Sequence, residues 1–241
     1  MTKMLASVSN LQEAVTIIAA GADIIDIKDP HKGALGAVEP DMAKEIVQKV
    51  SGRIMTSATV GDLPMEKNCI ATAIKRMRTT GVDIIKVGVF ADAVPGDVLQ
   101  VFRQYADAGC RIVLVFFADQ IPQFDDFSEI ADAGILGVML DTSDKTRGSL
   151  RTILDDKTLE YFVRQAQAAG LMTGLAGSLK LADIQPLLKL NPDYLGFRSA
   201  LCDKHQRNST IDMQAAHNIR AMIPPHNIAE SGNRDLLLSV N

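Results

Sequence analysis

Asp26 and Lys28 stand two residues apart in an apolar, β-branched run, Asp23-Ile-Ile-Asp-Ile-Lys-Asp-Pro30. Residues two apart share a face of a strand, so the carboxylate and the amine point one way while Ile25 and Ile27 point the other. A second amine, Lys86, lies in Asp83-Ile-Ile-Lys-Val-Gly-Val-Phe90. An inward ammonium there is costly to desolvate unless a carboxylate meets it, and Asp26 and Asp141 are the expected partners. Crowding Lys28, Lys86 and Lys145 together is expected to leave at least one amine neutral near pH 7. A neutral amine is a nucleophile. It adds to a carbonyl, the resulting Schiff base draws electrons, and a second lysine or an aspartate can then move protons. The same charges could instead be ion pairs that only hold the fold together, but such pairs seldom outperform apolar packing.

The remaining polar candidates fall late in other apolar runs. Ser57 and Thr59 stand in Ile54-Met-Thr-Ser-Ala-Thr-Val60, Gly177-Ser178 follow Met172-Thr-Gly-Leu-Ala, and Arg198-Ser199 follow Tyr194-Leu-Gly-Phe. Backbone N–H groups in such turns suit a phosphate, and so does the arginine, although Arg198 could pair with a carboxylate and the glycine could simply form a turn. Asp119, just past Phe116-Phe117, reads as a turn or cap residue or as a further site carboxylate. His31, His205, His217 and His226 show neither nucleophile pairing nor metal spacing, and no metal or other cofactor is expected.

Placing these groups together requires strands that point to a common mouth. Eight short strands are predicted, beginning near Met4, Asp23, Ile54, Asp83, Arg111, Gly137, Met172 and Tyr194. Helices alternate with them: Asn10 caps one that runs to Ala20, Pro40 opens another to Val50, and others end at Gly81 and Gly109 or lie near 158–169, 181–190 and 212–222. A glycine-led phrase of the Ala-Gly-x-Asp type recurs. This α/β alternation, in 241 residues, predicts a single (β/α)8 TIM barrel over residues 1–223, with 224–241 a C-terminal tail or arm. A doubly wound open sheet fits less well, because no strand is followed by the dinucleotide fingerprint. In a barrel the groups at strand C-termini share one face, which is where all the candidates fall.

Composition narrows the classes. A net charge of -4 without a basic stripe argues against nucleic acid, and no apolar run has membrane length. Cys69, Cys110 and Cys202 are scattered, which fits thiols in a reducing compartment, so a cytoplasmic enzyme is expected. Its expected partner is a small phosphorylated carbonyl compound. A homo-oligomer is compatible with the sequence.

Gly21-Ala-Asp-Ile-Ile-Asp-Ile-Lys28, Gly33-Ala-Leu-Gly36, Ser57-Ala-Thr-Val-Gly-Asp62, Ile85-Lys-Val-Gly88, Met139-Leu-Asp-Thr142 and Leu175-Ala-Gly-Ser178 give the chain a family likeness. From about Leu5 to Ile223 it resembles the (5-formylfuran-3-yl)methyl phosphate synthase family. The resemblance implies a class I aldolase-type lyase of methanofuran biosynthesis on a barrel fold. Such an enzyme converts two molecules of the triose phosphate glyceraldehyde 3-phosphate into the phosphorylated furan aldehyde, with loss of phosphate and water. It implies Lys28 as the Schiff-base lysine and Lys86 as proton acceptor, with Asp26, Asp141 and Lys145 in support. The chain departs from the family pattern in the short segment Gln120 to Glu129, and at Ser199, where a glycine is expected. Residue types and spacing alone do not rank the two strand lysines. On those grounds another class I aldolase, a sugar-phosphate isomerase or a non-catalytic phospholigand-binding barrel stays open.

Overall fold

The computed structural model describes residues 1–91, 93–120 and 126–224, and of Lys145 only the backbone. Eight parallel strands close on themselves: β1 Lys3–Val8, β2 Ile24–Ile27, β3 Met55–Thr59, β4 Ile84–Gly88, β5 Ile112–Phe117, β6 Gly137–Asp141, β7 Met172–Leu175 and β8 Tyr194–Phe197. The helices outside them are α1 Leu11–Ala20, α2 Pro40–Val50, α3 Lys67–Arg78, α4 Gly96–Asp107, α5 Ser128–Asp132, α6 Leu150–Ile153, α7 Asp156–Ala168, α8 Leu181–Leu188 and α9 Met213–Met222. This is the (β/α)8 barrel. Most of the expected tail, from 225 on, and residues 121–125 of the short segment after β5 lie outside the described residues. Among the described residues no helix is long and apolar enough to cross a membrane.

Local chemistry sets the helix ends. The Asn10 side chain accepts from the Glu13 N–H at 2.9 Å, and Gly21 leaves α1 with φ of 80°. Asp155 and Asp212 cap α7 and α9 in the same way. One core lies between strands and helices and holds Ile25, Ile27, Ile85 and Val87; a second, inside the barrel, holds Leu5, Ile24, Ile84, Val113 and Tyr194. Two residues beyond Leu5, Ile24 and Ile84 on this inward parity come Ser7, Asp26 and Lys86. The register aligns Ser7 with Asp26 and Asp26 with Ser57, so parity alone places four polar side chains in one interior.

Inward glycines make room. A Cβ on Gly174 would fall on the Tyr194 ring, and one on Gly88 would lie 2.7 Å from the Leu35 side chain. Leu35, from the loop after β2, is therefore able to sink fully into the barrel mouth above β4. Phe90 and Phe117 stack beside it with ring centroids 4.5 Å apart. One half of the mouth is plugged by apolar side chains.

The recurring phrase has a structural meaning at the opposite end. Asp23 accepts from the Met4 N–H at 2.7 Å, Asp83 from the Thr56 N–H at 2.7 Å, and Asp193 from the Thr173 N–H at 2.7 Å. Each aspartate follows by two residues a left-handed turn residue, Gly21, Gly81 or Asn191, and caps the strand before its own. Thr56 and Thr173 add hydroxyl bonds to the same oxygens. Replacing Asp83 by Ala strands the Thr56 donors and is expected to cost about 1–2 kcal/mol. Urea unfolding should show this as a lower midpoint at unchanged slope.

Candidate active site

Asp26 is fully buried and receives three bonds. Lys86 Nζ lies 2.9 Å from Oδ1, Ser57 Oγ donates to Oδ1 at 2.7 Å, and Ser7 Oγ donates to Oδ2 at 3.0 Å. Burial works against the Asp26 charge, but Lys86, Lys28 and the Ser57 hydrogen bond outweigh it and hold the carboxyl below the usual carboxylate range. Lys86 is 1% exposed, so carboxylate and ammonium share a dry interior.

Lys28 sits one turn of the pleat higher. Its N–H still bonds the Val8 carbonyl at 2.9 Å, so the strand geometry continues through it, and its Nζ lies 3.7 Å from Asp141 Oδ2. That is ion-pair distance, longer than the Lys86–Asp26 bond. Asp141 is itself oriented by the Thr142 N–H at 2.7 Å. The two lysines thus take the two expected carboxylates, one each.

Their access differs. A recess of about 360 Å³, counted with the solvent at its mouth, is lined by Ser7, Lys28, Asp141, Gly177, Ser178, Arg198, Ser199 and Arg207 among others. Lys86 and Asp26 are not on its wall. Ser57 faces Asp26, and Thr59, at the C-terminal end of β3 and level with Lys28, donates to the Gly36 carbonyl at 3.0 Å under the loop after β2, so neither lines the recess. The Lys145 backbone lies in the turn Lys145–Arg147, and its side chain is outside the described residues.

Gly177 and Ser178 both adopt positive φ, at 105° and 49°, and a Cβ on Gly177 would meet Thr142. Arg198 also lines the recess but has no free donor. Its Nε bonds the Arg207 carbonyl, Nη1 bonds the Ser7 carbonyl and Glu13 Oε2, and Nη2 bonds Glu13 Oε1 and the Ser209 carbonyl. A guanidinium has five N–H groups, and all five are engaged. Of the two roles open to Arg198, the geometry is that of carboxylate pairing. Glu13 also accepts from the Ser9 N–H at 2.8 Å, so the pair ties α1 to the loop after β8.

Two further carboxylates hold loops of the mouth. Asp62, after β3, accepts from Ala34 N–H at 2.9 Å and Leu35 N–H at 2.8 Å, and so seats the plug. Asp119, after β5, accepts from Ser143 N–H at 2.8 Å and from Asp144 N–H and Ser143 Oγ at 2.7 Å, next to the turn that carries Lys145. Burial raises the Asp119 carboxyl, but these N–H donors prevail and hold it low. Asp62 and Arg207 were not singled out by residue type. The signal for Asp62 is its place one residue after Gly61, across from a glycine-rich loop; Arg207 lies in an aperiodic loop without one.

Two outcomes are expected. Asp26→Ala leaves Lys86 as an uncompensated buried charge at a cost of about 3–5 kcal/mol, and the double variant Asp26→Ala/Lys86→Met should regain much of it. Because the Asp26 carboxyl is depressed in the fold, its contribution is complete above the unfolded value of about 3.9 and is lost as pH falls from there through the folded value. Urea midpoints against pH should show that acid loss in the native chain and not in the double variant. Asp119→Ala should lower stability by up to about 1 kcal/mol and depress kcat, with Asp119→Asn affected less because it retains an acceptor.

Comparison with known proteins gives the site its context. A family model described as 4-HFC-P synthase matches residues 4–220. A protein of Methylorubrum extorquens, provisionally named a (5-formylfuran-3-yl)methyl phosphate synthase, is 41% identical over 221 residues, 91% of each chain. The (5-formylfuran-3-yl)methyl phosphate synthase of Methanococcus aeolicus is 34% identical over 216 residues, 85% of this chain and 92% of that one. Among solved structures, 3-keto-L-gulonate-6-phosphate decarboxylase from Vibrio cholerae superposes with a TM-score of 0.65 at 14% identity, covering 92% of this chain and 96% of that one. That last likeness is one of fold. With a family model across most of its length and relatives above 30% identity, the chain belongs to the 4-HFC-P synthase family, that of the (5-formylfuran-3-yl)methyl phosphate synthases.

Proposed function

We propose that the chain is a (5-formylfuran-3-yl)methyl phosphate synthase of methanofuran biosynthesis, and that it condenses two molecules of glyceraldehyde 3-phosphate through a Schiff base on Lys28. Family membership supports the product. The observation that carries the choice of lysine is access: Lys28 lines the recess, whereas Lys86 lies off it, hydrogen-bonded to Asp26.

Attack on a carbonyl needs the neutral amine, and Asp141, 3.7 Å from Lys28 Nζ, is placed to take the proton. Nζ forms a bond to the carbonyl carbon, the oxygen leaves as water, and an iminium remains. The iminium acidifies the neighbouring carbon. Loss of a proton there gives an enamine, whose carbon attacks the aldehyde of the second triose. Lys86 first gives its own proton to Asp26 across their 2.9 Å bond, and the amine so freed accepts and returns the carbon-bound protons. Ring closure and elimination then give the furan, and the atoms balance when one phosphate and two waters leave for each pair of trioses.

The test is incubation with glyceraldehyde 3-phosphate, following the furan ultraviolet chromophore, with borohydride reduction and peptide mapping of any adduct. The native chain should form the chromophore and carry the reduced adduct on Lys28. Lys28→Ala should lose both, while Lys86→Met should keep the adduct and lose at least about a hundredfold in turnover. An adduct on Lys86 would reverse the assignment of the two lysines.

A further inference from the structure

A phosphorylated substrate needs a cation that can reach it, and Arg198 is committed to Glu13 and three carbonyls. Arg207 is the other guanidinium on the wall of the recess. Its loop is fixed from behind, because its own carbonyl accepts from Arg198 Nε at 2.7 Å. The Arg198–Glu13 pair thereby sets where Arg207 stands.

Arg207 is half-buried, and its Nη2 donates to the Gly33 carbonyl at 3.0 Å. Among the described residues no carboxylate lies within ion-pair distance of it, in contrast to Arg198, Lys28 and Lys86. Burial works against its charge, and Asp141, Asp62 and Asp29 support it from a distance. A guanidinium cannot respond by deprotonating. A half-buried cation held on one carbonyl, at a rim that also presents Ser178, Ser199 and the left-handed Gly177 backbone, has the chemistry of an anion site.

We propose that Arg207 binds the phosphate group of the substrate at the Gly177, Ser178 and Ser199 rim, and that through the Gly33 carbonyl it straps the loop following Lys28 to the same ligand. The proposal rests on the triose phosphate reading above. It makes Arg207 a substrate-binding residue with a second effect: the Gly33 bond spans the mouth from the loop after β8 to the loop after β2. A phosphate held by Arg207 is thereby tied to the loop carrying Leu35, which Asp62 seats from its other side.

The experiment compares the native chain with Arg207→Met and Arg207→Lys by three readings: KM and kcat for glyceraldehyde 3-phosphate, the binding constant of inorganic phosphate, and borohydride trapping of Lys28 by glyceraldehyde, which lacks the phosphate. Arg207→Met should raise KM and weaken inorganic phosphate by about 10- to 100-fold. Its trapping by glyceraldehyde should match the native chain. Arg207→Lys should recover only part, because an ammonium lacks the planar fork. Unchanged KM and phosphate binding in Arg207→Met would overturn the proposal, and so would an equal loss of trapping with and without phosphate, which marks a merely structural residue. If Arg207→Met does not fold, Arg207→Gln read by the same constants decides. Should the native chain trap nothing on Lys28, the Schiff-base reading fails, while phosphate binding in the variants still tests Arg207.

Discussion

A carboxylate and an ammonium buried together inside a closed barrel impose the main constraint on this molecule. Taking Asp26 and Lys86 out of water costs several kcal/mol for each ion after relaxation, roughly, and only a short, well-satisfied contact offsets it. Their 2.9 Å bond, with Ser57 and Ser7 on the remaining lone pairs, is that contact. Apolar residues of similar volume would stabilise the barrel at least as well. The pair is held at some expense of stability, beneath a lysine that lines the open recess.

Carboxylates recur around it in two different settings. On the lower face Asp23, Asp83 and Asp193 each accept the N–H of the second residue of a neighbouring strand and stabilise the barrel. On the upper face Asp62 and Asp119 accept backbone N–H groups of loops that border the mouth, while Glu13 clamps Arg198. In both settings an acid from one βα unit fixes the backbone of another. The precision of the site therefore comes from between-unit contacts, and short loops with few apolar residues of their own can hold an ordered geometry.

The barrel was legible because strand parity and helix caps are local. Ile24 to Lys28 and Ile84 to Gly88 announce their inward and outward faces in their own residues, and the two lysine–carboxylate pairs follow from parity plus the cost of burying charge. The difference in access between Lys28 and Lys86 was not legible by that route, since it depends on Leu35 filling one side of the mouth over Gly88, a matter of side-chain volume across distant segments. Arg198 likewise looked available to a phosphate because its partner, Glu13, is 185 residues away in the chain. Ser57 and Thr59 had the right type and parity, but Ser57 is turned to Asp26 and Thr59 is covered by the loop after β2, and Arg207 stands in a loop that no periodicity marks.

The off-centre recess has a stereochemical consequence. Its described lining comes from β1, β2, β6, β7, β8 and their following loops, while Leu35, Phe90 and Phe117 cover the β4 and β5 side. In the scheme proposed above, a trigonal carbon held on Lys28 would have two unlike faces, one toward the buried Lys86–Asp26 pair and one toward the open side. Proton exchange from the first face and entry of the aldehyde from the second would confine solvent hydrogen isotope to one prochiral position, a handedness that the flat furan itself does not keep.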